Sequence, residues 1–157
     1  MKIFKTLVLV LASFYLCLPA YSEPPQSGEG IQQLSVLVEK AAALIEKEGK
    51  DVFPELRKKD GDWWKGDLYV FVDSMEGVVL VHPYDTRIEG QNLLKDPESK
   101  GVMALLIEKA KTDGSGVVQY MWPKPGETSP SKKISYIKKV KMPDGMEVIV
   151  GAGMYEK

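Results

Sequence analysis

An α+β fold is what this sequence predicts: one five-stranded antiparallel sheet with a long N-terminal helix and a crossover helix. Three observations carry the prediction. Apolar residues between Ile31 and Lys47 recur at helical spacing, the period drops to two from Gly66 onward, and two turn sequences join neighbouring strand segments. Those turns are Met75-Glu76-Gly77 and Pro143-Asp144-Gly145. Connections this short join antiparallel neighbours, and helices are then needed to cover the sheet faces.

The elements follow in order. In the first helix Ile31, Leu34, Leu37, Val38, Ala41, Leu44 and Ile45 share a face, with Glu39, Lys40, Glu46 and Lys47 elsewhere and Gly49 as the stop. A second, short helix is expected around Val52 to Lys59, with Pro54 in its first turn. Leu68, Val70 and Val72 then face one way and Tyr69, Phe71 and Asp73 the other, and Val78 to His82 is the returning strand. Pro83 to Lys95 reads as a loop long enough to suspect function. Asp96 reads as an N-cap with Pro97 at the first helical position, opening a helix that runs to about Lys111 and ends near Gly114. Strands are expected at Val117 to Trp122, Lys132 to Val140 and Met146 to Tyr155, with a Pro/Gly/Ser loop from Pro123 to Pro130.

Ahead of this domain stands an export signal. Lys2 and Lys5 form its positive end, Leu7 to Leu18 is an apolar run of 12 residues, and Ala20-Tyr21-Ser22 suits cleavage after Ser22. That run is shorter than the roughly 20 residues a membrane span needs. Cys17, the single cysteine, follows Leu16 rather than a small residue, so lipidation is not expected. Residues 23–30 form a flexible lead, and the domain is expected over residues 31–157. The mature chain is expected to be soluble and periplasmic or secreted, with no later apolar stretch long enough to span a membrane.

Composition excludes several functions. The signal holds two lysines and no acid, so the mature chain has 19 Lys+Arg against 22 Asp+Glu, a net charge of −3. This argues against a nucleic-acid partner. One histidine and no cysteine pair exclude the usual zinc sites, and no cofactor is expected. An enzyme is not expected either: there is no Gly-x-Ser-x-Gly elbow and no phosphate loop. Asp73 and Glu76 could pair as carboxylates, but an acid in a turn after a strand needs no catalytic explanation.

A set of short segments carries a family resemblance. They are Tyr69-Val70-Phe71-Val72-Asp73 with Gly77, His82-Pro83, Gly90-Gln91-Asn92-Leu93, Gly114-Ser115-Gly116 with Tyr120-Met121-Trp122-Pro123, Lys133-Ile134-Ser135-Tyr136, and Gly151-Ala152-Gly153-Met154-Tyr155. In this order and spacing the chain resembles the single Cache domains of type 2, extracytoplasmic sensor modules of PAS-like fold, over roughly Ile31 to Tyr155. The resemblance implies a small-molecule pocket above the sheet, commonly for short organic acids. It also implies work alongside a membrane receptor or histidine kinase. Without a span of its own, the chain would pass its bound state to such a partner, or sequester the ligand.

The candidate ligand-binding residues each have a plainer alternative. His82 either donates to a ligand carboxylate or bonds the nearby loop backbone. Tyr120 and Trp122, on the face of Val118, either wall a pocket or form aromatic core beneath the helix, and the same choice holds for Tyr69 and Phe71. Lys133 either pairs with an acid or is a solvated strand-end lysine. Tyr136, three residues on, reaches the same pocket only across a bulge or if Lys133 sits on the loop edge. Arg87 is the loop cation able to grip a carboxylate bidentately, or else is solvated. Asn92 is expected to brace the loop, and Gly151 and Gly153 to make room for a ligand or for helix packing. Trp63 and Trp64 either form a partner patch or plug the sheet end. The expected function is an exported sensor domain for a small organic acid acting through a partner. The alternative is an interaction module without a ligand that docks on a membrane sensor.

Overall fold

A computed structural model describes residues 28–156. The export signal expected over residues 1–22, its cysteine, and the lead up to Ser27 lie outside the described residues. The first helix, α1 (Glu29–Glu48), begins two residues earlier than its apolar stripe suggests. Gly30 allows this, because its bare Cα lies against Met154 (a Cβ there would stand 2.8 Å from the Met154 methyl). The second helix is shorter than expected: a 3-10 turn at Gly49–Val52 leads into α2 (Phe53–Leu56), with Pro54 in its first turn.

The sheet has six strands rather than five. β1 (Trp64–Lys65), β2 (Leu68–Ser74), β3 (Val79–Val81), β4 (Ser115–Pro123), β5 (Pro130–Lys141) and β6 (Glu147–Tyr155) are all antiparallel to their neighbours. The order is β1-β2-β6-β5-β4, with β3 also pairing β2. The extra strand arises because Trp64 and Lys65 pair with Tyr69 and Leu68, which spreads the tryptophan pair across the sheet. Trp63 packs on one core and Trp64 on the other, both half-buried.

Between β3 and the third helix the chain is a tightly braced strap rather than a free loop. Val79 N–H donates to Gln91 O at 3.0 Å, Gly90 N–H to Val79 O at 2.8 Å, and Leu93 N–H to Gly77 O at 2.9 Å. Asn92 donates to Glu76 O at 2.9 Å and accepts from Leu94 N–H at 3.0 Å. Asp96 then accepts from Ser99 N–H at 3.0 Å and Lys100 N–H reaches Asp96 O at 2.9 Å. This makes a separate turn ahead of α3 (Lys100–Thr112), so the regular helix starts three residues later than Pro97 suggests.

Alternation along the strands builds two cores. Val70, Val72, Val148, Val150 and Ala152 pack under α1 with Leu34, Val38, Ala41 and Ile45. Tyr69, Phe71, Val118, Ile137 and Ile149 pack under α3 with Met103, Leu106, Ile107 and Ala110. The two central strands β2 and β6 are therefore covered on both faces. None of the described helices is long and apolar enough to cross a membrane.

Candidate functional site

The α3 side of the sheet carries the polar residues. Lys133 lies opposite Tyr120 in the β4–β5 pairing, inside the end that the Pro123–Pro130 pair closes. Its stem crosses the sheet over Gly153, where a Cβ would stand 2.7 Å from Lys133 Cε and collide with Ser135 Oγ. Gly151 does the same for the Phe71 ring, with a Cβ position 2.7 Å from Phe71 Cε2. The two glycines thus leave room for side chains of neighbouring strands, not for a helix.

Lys133 ends up 1% exposed. Its Nζ donates to the Tyr69 hydroxyl at 2.9 Å and sits 4.2 Å from the Tyr69 ring centre and 5.6 Å from that of Phe71. His82 Nδ1 accepts Asp85 N–H at 3.0 Å, which leaves the proton on Nε2, and Nε2 meets the same Tyr69 hydroxyl at 3.1 Å. The Tyr69 oxygen therefore accepts from both Lys133 and His82, and Tyr155 and Trp122 also reach this hydroxyl. Tyr120 O–H and Ser135 Oγ are joined at 2.9 Å.

These groups border a cavity of about 30 Å³ lined by Phe71, Asp73, His82, Tyr120, Trp122 and Lys133, and closed above by Ile88, Leu93 and α3. Such a space holds about one or two waters. His82, Ile88, Val102 and Trp122 also line an open cleft of about 520 Å³ on the outer side, so they form the partition between the two. Tyr84 leans from the strap onto Gly126 at the rim of that cleft, accepting its N–H.

Burial sets the charges. It lowers Lys133 to about 7, opposed by the nearby Asp73 carboxylate. It raises Asp73 to about 7, opposed by Lys133. His82 is pushed down to about 4 by burial and then by the lysine, so its ring is neutral at ordinary pH. Tyr69 and Tyr120 are raised, chiefly by burial, and stay protonated. The site thus sets the neutral donors His82 and Tyr120 beside two buried titratable groups of opposite kind, Lys133 and Asp73.

Of the residues singled out in the sequence, Tyr69, Phe71, His82, Tyr120, Trp122 and Lys133 come together here. Tyr136 does not. No bulge interrupts the pairing of β5 with either neighbour, and Lys133 is well inside the strand, so alternation sends Tyr136 into the α1 core. Arg87 also stands apart. It lies at the outer cleft with its side chain 87% exposed, its guanidinium holding Asp85 at 2.8 and 2.9 Å.

Two elements of the site were not among the candidate ligand-binding residues. Asp73 shares the face of Tyr69 and Phe71, and that alternation was a signal for it. Arg57 and Glu89 had no such signal, being 32 residues apart. Their fork, at 2.8 and 3.0 Å, and the His82 N–H donated to Glu89 at 2.8 Å fix the strap beside the imidazole.

Comparison with known proteins agrees with this architecture. The chain is 33% identical over 91 residues to the methyl-accepting chemotaxis protein McpP of Pseudomonas putida, a match spanning 57% of this chain and 16% of that protein. A periplasmic sensor domain of a chemotaxis protein superposes with a TM-score of 0.71 at 29% identity, covering 85% of this chain and 100% of that one. A Cache chemosensory domain, solved for the structural basis of its carboxylic acid recognition, superposes at 0.66 with 26% identity, over 82% and 94%. The model of the Cache domain matches residues 28–157, and this chain belongs to that family of sensor domains as a single Cache domain of type 2.

Proposed function

We propose that this domain binds a small organic acid outside the cytoplasm and reports it through a membrane receptor or kinase, with Lys133 as the counter-ion of the carboxylate. The observation that carries the reading is the state of that lysine. It is almost fully buried, its hydrogen bond goes to a neutral hydroxyl, and no carboxylate lies within 4.0 Å of it among the described residues. A buried cation without a partner costs several kcal/mol, and an anion in the cavity removes that cost. Tyr120 and Trp122 supply the walls, and Tyr69 holds the Lys133 ammonium in place from behind. The carboxylic acid recognition described for a similar domain supports the same choice of ligand.

The cavity as it stands is smaller than such a ligand, so binding displaces the partition of His82, Ile88, Val102 and Trp122 toward the outer cleft. The small size also favours the rival reading, a ligand-free module that docks on a membrane sensor. Thermal shift separates the two. Acetate, propionate, lactate or pyruvate at about 100 times its dissociation constant stabilises the domain by about 2.7 kcal/mol, several degrees at this size. Absence of any shift across the set leaves the docking module.

A further inference from the structure

The cavity has a second polar end that the carboxylate reading does not use. Asp73 is 4% exposed and lines the cavity among Phe71, Val79, Leu93, Met103 and Leu106, all apolar. Among the described residues its carboxyl takes part in no side-chain hydrogen bond and no ion pair within 4.0 Å, and since no fully enclosed side-chain oxygen there lacks a partner, its oxygens open onto the cavity. The adjoining turn does not need it, because Ser74 Oγ accepts both Glu76 N–H and Val78 N–H at 3.2 Å. A carboxyl at this depth without a partner calls for an explanation beyond packing.

Its position relative to Lys133 supplies one. Tyr69, Phe71 and Asp73 stand in a row on one face of β2, and Lys133 Nζ hovers over the first two rings. A short molecule lying along the Phe71 ring with its carboxylate at Lys133 presents its far end to Asp73. The titratable groups that border the cavity from other elements are Lys133 on β5, Tyr120 on β4 and His82 after β3; the strap and α3 contribute none to the lining. Tyr120 is tied to Ser135 and His82 to Asp85 N–H. Lys133 and Asp73 are thus the two groups able to answer an incoming charge.

Building on the carboxylate reading above, we propose that the site takes its anion together with one proton, lodged on Asp73. The resulting carboxylic O–H donates to a second, uncharged oxygen of the ligand, so the preferred ligands are short hydroxy and oxo acids. The direction follows from charge. An anion beside the pair keeps Lys133 an ammonium and drives Asp73 to its acid form. In the empty site burial pushes both groups toward their neutral forms, Lys133 down and Asp73 up, so near neutral pH the pair holds fewer than two protons. The bound site holds two, and the extra proton comes from solvent. A ligand ammonium would instead require Asp73 ionised and no proton uptake.

Calorimetric titration of the purified protein with propionate, lactate and pyruvate tests this, run near neutral pH in phosphate and in Tris, whose ionisation heats differ. The expected result is uptake of about one proton per anion, with affinity falling about tenfold per pH unit above pH 7. Lactate and pyruvate are expected to bind about tenfold tighter than propionate. Asp73→Leu, which has no donor, is expected to lose the preference while still binding propionate, whereas Asp73→Asn, whose amide N–H donates as the acid O–H would, is expected to keep it; a cooperative melt at acid pH shows that each variant folds. Heats independent of buffer in the wild-type protein, a preference for lactate kept in Asp73→Leu, or tighter binding of alanine than of lactate each overturn the proposal. Acids that bind without proton uptake remove this inference alone, whereas silence of every short acid removes the carboxylate reading as well.

Discussion

The two faces of the sheet are built from the same strands and differ in almost everything else. On β2, Val70 and Val72 point to α1 while Tyr69, Phe71 and Asp73 point to α3. On β6, Val148, Val150 and Ala152 point to α1 while Gly151 and Gly153 clear space on the other side. The α1 core is mostly aliphatic. The α3 side holds Asp73, His82, Lys133 and Ser135, four of the buried polar residues, and the cavity. One face supplies most of the dry packing that can offset charges left exposed to a cavity on the other. The division teaches that on these central strands parity separates a packing face from a face that combines packing with the buried polar residues.

Substitutions that respect or cross this division can break the comparison. The largest effect is expected on the α1 face: Ile45 is fully buried, and Ile45→Ala is expected to cost about 2–5 kcal/mol. The melting point then falls by roughly ten degrees while the ranking of ligands by the thermal shift they produce is unchanged; an altered ranking would show that the two faces are coupled. Lys133→Met is expected to do the opposite, weakening acid binding by about a hundredfold or more while the unliganded melting point holds or rises, since an unpaired buried charge is gone. Retained binding in that variant would move the site elsewhere.

A subtler contrast is in pH. Asp73 has a folded value of about 7, above its ordinary 3.8, so the folded state binds more protons than the unfolded one between those values. Its contribution to stability therefore falls as pH rises through that window. Asp73→Asn is expected to gain on wild type progressively from about pH 4 to pH 7, read from urea midpoints; a difference that does not vary with pH would mean the carboxyl is not held as described. The smallest effects belong to residues outside the hollow. Tyr136→Phe on the α1 face and Arg87→Ala on the rim are each expected to change stability by about 0.5 kcal/mol or less and acid affinity by about twofold or less. A tenfold loss in either would extend the site to it.

The element order, both turns and the face of nearly every strand residue were legible in the sequence, because periods of two and 3.6 report directly which side is buried. The site was legible in part. Tyr69, Phe71, Tyr120 and Trp122 follow from parity, and the geometric conflict between Lys133 and Tyr136 was visible before its outcome was. Regular pairing along β5 settled it against Tyr136. Asp73 was weighed only as a possible partner of Glu76, and its place at the cavity shows only once Ser74 is seen to perform the turn's hydrogen bonding. The Arg57–Glu89 brace was invisible, since nothing local relates two charges so far apart along the chain.

Local pattern by itself determined the fold class, the antiparallel hairpins and which residues share a face, since these depend on periodicity and turn chemistry within a few residues. Only the tertiary structure decided that a lysine crosses a glycine to meet a tyrosine from another strand, and that an acid is left beside it without a partner. Such encounters depend on how distant strands are ordered and registered, and on burial that changes the protonation of groups whose separation in sequence says nothing of their distance in space.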